Sequence, residues 1–156
     1  MLQKLVVNRR QLLATVMVML PVLSSRKAQA AVAESVDVVQ PDNPGDQAFV
    51  GRAFEMRRQA QEIGDQAYGA VVVRDGIIIG QSPSHVVVHR DPTAHAEMEA
   101  IRDAARRLGS RDLSNCTLYS SSPACPMCEA AAYWADIGRL VYGENARDGG
   151  RPRLCR

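Results

Sequence analysis

Apolar residues recur at helical spacing from Phe49 to Gly64, where Phe49, Ala53, Met56, Ala60 and Ile63 form one stripe that a glycine ends. The period then changes. AYGAVVVRDGIIIG holds two short apolar runs joined by Arg74-Asp75-Gly76, and an Asp-Gly pair between such runs predicts a hairpin. QSPSHVVVHR reads as a loop with a brief apolar interruption. Helical spacing returns in DPTAHAEMEAIRDAARRLG, with Asp91 as the expected N-cap and Pro92 in the first helical position. Ala94, Met98, Ile101, Ala105 and Leu108 form its expected inward stripe, and Gly109 closes it. NCTLYSS then predicts a strand, PMCEAAAYWADIG a helix and RLVYG a further strand. Helix, hairpin, helix, strand, helix, strand is the order of an α/β domain, a central mixed sheet with helices on its faces. Its strand–helix–strand unit is expected to cross over right-handedly.

Ahead of this pattern the chain has a different character. MLQKLVVNRR is basic, LLATVMVMLPVLSS is apolar, and RKAQA supplies small residues at Ala28 and Ala30. These are the three regions of an export signal, with cleavage expected after Ala30. Arg9-Arg10 followed by Leu12-Leu13, with Asn8 in the usual Ser/Thr place, resembles a twin-arginine signal. The product is expected to be periplasmic or otherwise exported, by that route or the general secretory one. No stable membrane anchor is expected after cleavage, because Pro21 breaks an apolar run that falls short of the ~20 residues a span requires. Residues 31–48 mix small, acidic and Pro/Gly residues without periodicity and read as a linker, leaving residues 49–156 as the domain.

Composition adds two constraints. At 156 residues, 46% hydrophobic and 23% charged, the chain holds one ordinary globular domain and is not disordered throughout. The formal charge of +2 conceals an asymmetry, since residues 1–30 carry five basic residues and no acid. The remainder has 14 basic against 17 acidic residues, a net of −3, which argues against a broad nucleic-acid surface.

The candidate chemistry sits where two helices begin. SSPACPMCEAAAYW places Cys125 and Cys128 three apart around Pro126, and DPTAHAEMEA places His95 two residues before Glu97. With Cys125 as N-cap and Cys128 third in its helix, the two sulfurs can converge on one point. A helix N-terminus favours the thiolate that a metal requires. A redox pair, a structural zinc clip and half of a catalytic metal site are all compatible with the cysteines alone. If the two helix starts face each other, one His and two Cys can hold zinc tetrahedrally with the fourth position open, the catalytic rather than the structural pattern. Glu97 would then sit near the metal without binding it, able to take a proton from water and pass it to a leaving amine. A redox pair like that of thioredoxin would explain the cysteines and leave His95 and Glu97 without a role.

The order H-x-E followed by C-x-x-C resembles the signature of zinc deaminases that act on bases. DPTAHAEMEAIR and CPMCEAAAYWA are similar to the guanine deaminase and tRNA adenosine deaminase branch of the cytidine deaminase superfamily, over about Phe49 to Gly143. The resemblance implies a three-layer α/β/α fold, Zn2+ on His95, Cys125 and Cys128, and Glu97 as proton shuttle. It also implies substrate contacts from the backbone near Ala96 and Cys125, and commonly a homodimer. Three features depart from the family pattern. Pro123-Ala124-Cys125 stands where Glu-Pro-Cys is usual, and Ser84 stands where an Asn grips the substrate. The family's long C-terminal tail has no counterpart in the 13 residues after Gly143. Trp134 matches a tryptophan that flanks the base in guanine deaminases, although its sequence pattern alone places it, with Tyr133, in the core.

The remaining residues have plainer readings. His85 and His89 read as loop residues, Cys116 as a packed thiol in a buried strand, and Glu129 as a first-turn acid facing the helix dipole. Arg102, Arg106 and Arg107 read as a solvated face, and Cys155 as either free or paired. Together the features predict a zinc-dependent hydrolytic deaminase of a nucleobase, nucleoside or related amino-heterocycle, guanine-type favoured, with no nucleic-acid partner. The alternatives are a catalytically silent, zinc-stabilised binding module of the same fold and, more remotely, a thiol oxidoreductase.

Overall fold

The computed structural model describes residues 38–154. The expected export signal, the first part of the expected linker and Cys155 lie outside them. The elements are α1 (Asp46–Glu62), β1 (Gly69–Arg74), β2 (Ile77–Pro83), α2 (Ala96–Leu108), β3 (Cys116–Ser120), α3 (Pro126–Trp134), β4 (Arg139–Tyr142) and β5 (Arg147–Gly150). The strands lie in the order β2-β1-β3-β4-β5, antiparallel except for the parallel pair β3/β4 that α3 bridges. The mixed sheet agrees with the sequence expectation. No helix among the described residues is long and apolar enough to cross a membrane.

Alternation along β1 builds a core on each face. Ala70 and Val72 point to the α2 and α3 side, with Ala100, Ala104, Leu118, Ala132 and Leu140. Val71 and Val73 point to the α1 side, with Phe49, Val50, Met56, Tyr119 and Val141. A strand buried on both faces reads as an unbroken apolar run, as AVVV does. The predicted hairpin turn is formed by Asp75 (φ 52°) and Gly76 (φ 75°), the positive pair that a two-residue loop between twisted strands requires.

Helix α2 lies so close to β2 that a Cβ at Gly80 would stand 2.6 Å from both the Ala100 carbonyl oxygen and the Ala104 nitrogen. This approach explains a difference from the expected stripe. The residues that α2 buries are Ala96, Glu97, Ala100, Ile101 and Ala104, mostly alanines, because only small side chains fit at this spacing. Met98, Ala105 and Leu108 are half-buried at its margins. Gly80→Ala is therefore expected to cost about 1–3 kcal/mol, visible as a lower Tm in thermal denaturation, because the obstruction is backbone that cannot rotate away.

Other boundaries also differ from expectation. α1 starts at Asp46, inside the segment expected as linker, and Gln40 exchanges hydrogen bonds with the Ile78 backbone (2.8 and 2.9 Å). Asp46 is held by Arg139 (3.1 and 2.8 Å) and by the Tyr119 hydroxyl (2.7 Å), which ties the helix start to β3 and β4. β5 was not expected, and Arg139 also reaches across to its Asp148 (3.0 Å). Asp91 and Pro92 do not begin α2. Asp91 instead accepts from the Thr93 amide (2.8 Å) and hydroxyl (2.7 Å), a turn closed by a short acidic side chain. The helix starts at Ala96 with His95 as N-cap.

Candidate active site

The sheet register brings the two helix starts together. Gly69 pairs with Pro83 and Ala70 with Ser120, so the start of β1 and the ends of β2 and β3 share one edge. Ser121 and Gly69 extend that edge, with the Ser121 amide donating to the Gly69 carbonyl (3.0 Å) and the Gly69 amide to the Ser121 hydroxyl (3.2 Å). The chain leaves this edge twice to enter a helix, through His95 and through Cys125.

Both are N-caps in extended conformation, His95 at φ −63°, ψ 151° and Cys125 at φ −71°, ψ 166°, and Pro126 opens α3 as expected. Neither side chain makes the usual capping hydrogen bond, so both remain available to a common point. His95 Nδ1 lies 3.7 Å from Cys125 Sγ and 3.6 Å from Cys128 Sγ, and the sulfurs are 3.6 Å apart. That separation excludes a disulfide, whose sulfurs bond at roughly 2.05 Å. A tetrahedral zinc with bonds of roughly 2.3 Å to sulfur and 2.0–2.1 Å to nitrogen holds its ligands about 3.5–3.8 Å apart. The triangle fits zinc and supplies three donors, one short of a closed site. Among the described residues no other His, Cys, Asp or Glu side chains form such a group.

The surroundings suit a cation. Burial, the Glu97 carboxylate and Cys125 push the Cys128 thiol well above the ordinary range, so a compensating positive charge is needed to hold it as thiolate. Glu97, second in α2, is 7% exposed, and burial raises its carboxyl despite its own backbone amide and His95. A buried carboxylate beside a three-donor metal triangle is placed to exchange protons rather than to serve as a solvated surface charge. Ala96 is fully buried, its amide among the first-turn donors that an α-helix leaves without an internal partner.

Two expected substrate contacts are placed differently. Ser84 is 0% exposed, with its hydroxyl donating to Asp65 Oδ1 (2.8 Å) and its amide to the Tyr68 carbonyl (3.1 Å), so it presents no surface to a ligand. Trp134 is 69% exposed, edge-on to an exposed Tyr133. Nine residues beyond Cys125, it lies about 13 Å along the helix at 1.5 Å per residue. Neither residue belongs to the core, because they lie on the outward side of α3, whose Cys128 and Ala132, with Ala135 just beyond, are the residues turned inward. Cys116 is the packed thiol expected. His85 and His89 stack on each other (4.6 Å) in the turn after β2.

Two acids carry more than the sequence revealed. Glu129, beside Cys128, is buried and accepts the Arg153 amide (3.2 Å), which holds the segment after β5 to α3. Asp65 receives Ser84 and neighbouring amides. An acid directly after a helix-terminal glycine reads as solvated, so no local pattern pointed to it.

A mixed sheet between helices, with a His-Cys-Cys triangle and a buried acid at two helix mouths, defines a metal-centred α/β domain. The chain belongs to the family described as the cytidine and deoxycytidylate deaminase zinc-binding region, whose family model matches residues 44–144. It is 40% identical over 103 residues to guanine deaminase of Bacillus subtilis, covering 65% of this chain and 66% of that protein. It is 37% identical over 98 residues to the tRNA-specific adenosine deaminase of Aquifex aeolicus, covering 63% and 65%. It thus spans just under two thirds of the length of these relatives. The X-ray structure of the Bacillus guanine deaminase superposes with a TM-score of 0.62 at 37% identity, over 69% of this chain and 72% of that one.

Proposed function

We propose that this protein is a hydrolytic deaminase of a free base or nucleoside, guanine-type favoured, with zinc held by His95, Cys125 and Cys128. The observation that carries the reading is the donor triangle with buried Glu97 beside it. Bound there, zinc would act as a Lewis acid that makes water nucleophilic near neutral pH. Glu97 would accept the proton that the attacking water gives up and deliver it to the amino nitrogen, which departs as ammonia. Oxygen replaces the amine at one ring carbon, and no electrons are transferred. First-turn amides at Ala96 would orient the substrate.

A small substrate is favoured over tRNA by the charge of −3 beyond residue 30 and by the export signal read in residues 1–30. Pairing of two copies would follow the family habit. The test is product identification: purified protein incubated with guanine, adenine, cytosine, their nucleosides and amino-pyrimidines, each assayed for the deaminated product. Conversion of one compound supports the reading, and guanine is the first expected.

The second reading, a silent zinc-stabilised module, is favoured by one observation: Ser84 is withdrawn from the site. Bound zinc with no product from any compound would favour it. Export by the twin-arginine route would carry the thiols through folded and metal-loaded, protected from an oxidising compartment. Substituting both Arg9→Lys and Arg10→Lys is expected to retain the precursor inside the cell. Normal export of that variant, followed by fractionation and immunoblot, would rule the route out.

A further inference from the structure

The turn between β2 and α2 is held from below by one carboxylate. Asp65 Oδ1 accepts the Ser84 hydroxyl (2.8 Å) and the Gln66 amide (2.7 Å), while Oδ2 accepts the amides of Val87 (2.8 Å) and Val88 (2.9 Å). The turn is also closed on itself, since His89 donates to the His85 carbonyl (2.9 Å) and Asp91 to that of Val86 (3.1 Å). Its two ends meet where the His85 amide donates to the Ala94 carbonyl (3.0 Å), one residue before His95. The excursion therefore stands at the mouth of α2, on the sheet edge that also carries Cys125. Val87 and Val88 are 55% and 50% exposed although their amides are held in place. Two valines kept outward on a fixed turn that runs directly into the helix bearing His95 form an apolar rim, suited to the flat face of a heterocycle.

We propose that Asp65 is a positioning residue that builds this rim: by gripping Ser84, Val87 and Val88 it sets how tightly a planar amino-heterocycle is held at the mouth of the site. The inference rests on the deaminase reading and adds to it the element that determines affinity. Burial alone would raise the Asp65 carboxyl, but the donors from Val88, Ser84, Gln66 and Val87 outweigh it and bring it down to about 2, so it is ionised throughout the range of an assay. Ser84 thus acts through Asp65 on the turn and not on the substrate.

The test compares the zinc-loaded protein with Asp65→Asn and Ser84→Ala, reading amide hydrogen exchange, zinc content and steady-state kinetics on the compound that the panel identifies. Asp65→Asn is expected to speed exchange at Val87 and Val88 about tenfold and to raise KM about tenfold, with kcat within about threefold and zinc unchanged, the scale expected for losing charge-assisted hydrogen bonds. Ser84→Ala, which removes one donor, is expected to shift both in the same direction by less. An active wild type whose KM and local exchange are unmoved by Asp65→Asn overturns this proposal alone. Exchange that rises uniformly over the domain, or kcat that falls with KM constant, overturns it too by reducing Asp65 to a general structural role. A zinc-loaded wild type inert on every compound overturns the deaminase reading and this inference with it.

Discussion

Replacing Glu97 with glutamine is expected to lower the rate of ammonia release by about a thousandfold or more, in line with the 10²–10⁴-fold that a positioned proton carrier contributes. Glutamine keeps the volume and the oxygen of the side chain but can neither accept a proton from water nor hand one to a departing amine. The buried setting of Glu97 makes this variant informative. A carboxylate shielded from water is costly, so removing its charge is not expected to unfold the domain and is compatible with an unchanged or higher Tm. Zinc should stay bound, because glutamine leaves His95, Cys125 and Cys128 untouched. The check is a kcat measurement with metal analysis on the same preparation. Turnover near the wild-type rate would remove Glu97 from the chemistry.

Replacing Cys128 with serine should act on the other half of the site. Cys128 is fully buried, and its sulfur lies 3.6 Å from both Cys125 Sγ and His95 Nδ1. A hydroxyl is a shorter and harder donor than a thiolate and cannot complete the triangle for zinc. Zinc affinity is expected to fall by more than about a hundredfold, beyond the 10–100-fold typical of an outer-shell change, and activity should disappear with the metal. Metal bound to the folded state alone stabilises it, so the wild type should lose Tm on chelation. The serine variant should already stand near the chelated value and respond little further. Chelator titration followed by thermal denaturation of both proteins checks this. An equal response would mean that the metal sits elsewhere.

The parts of this molecule that were legible in the sequence are those written in local periodicity. The hairpin at Asp75-Gly76 and the start of α3 at Cys125-Pro126 follow from turn and cap chemistry, and the convergence of Cys125 with Cys128 follows from their positions in one helix turn. That His95 joins them required the sheet register, which no single segment contains. β5 was hidden because Arg147–Gly150 has no apolar alternation and is held by backbone pairing and by Arg139 reaching to Asp148. Asp91 looked like a helix cap because acid-proline pairs commonly are, yet it closes a turn that carries the chain to His95. Ser84 was read through resemblance as a substrate contact, but Asp65 and the Tyr68 carbonyl, both distant in sequence, hold it inward. Trp134 was expected in the core or at the base and lies in solvent, because α3 turns Ala132 and the following Ala135 inward and leaves Trp134 on its outer side.

The most direct test of the central claim is ammonia release measured before chelation, after chelation and after zinc is returned, with metal content determined at each stage. A catalytic triangle formed by His95, Cys125 and Cys128 predicts about one zinc per chain, as a single three-donor site requires. It also predicts turnover that vanishes with the metal and recovers in proportion to its return. Turnover that persists in fully stripped protein, or a full complement of zinc that never supports turnover of any amino-heterocycle, would contradict it.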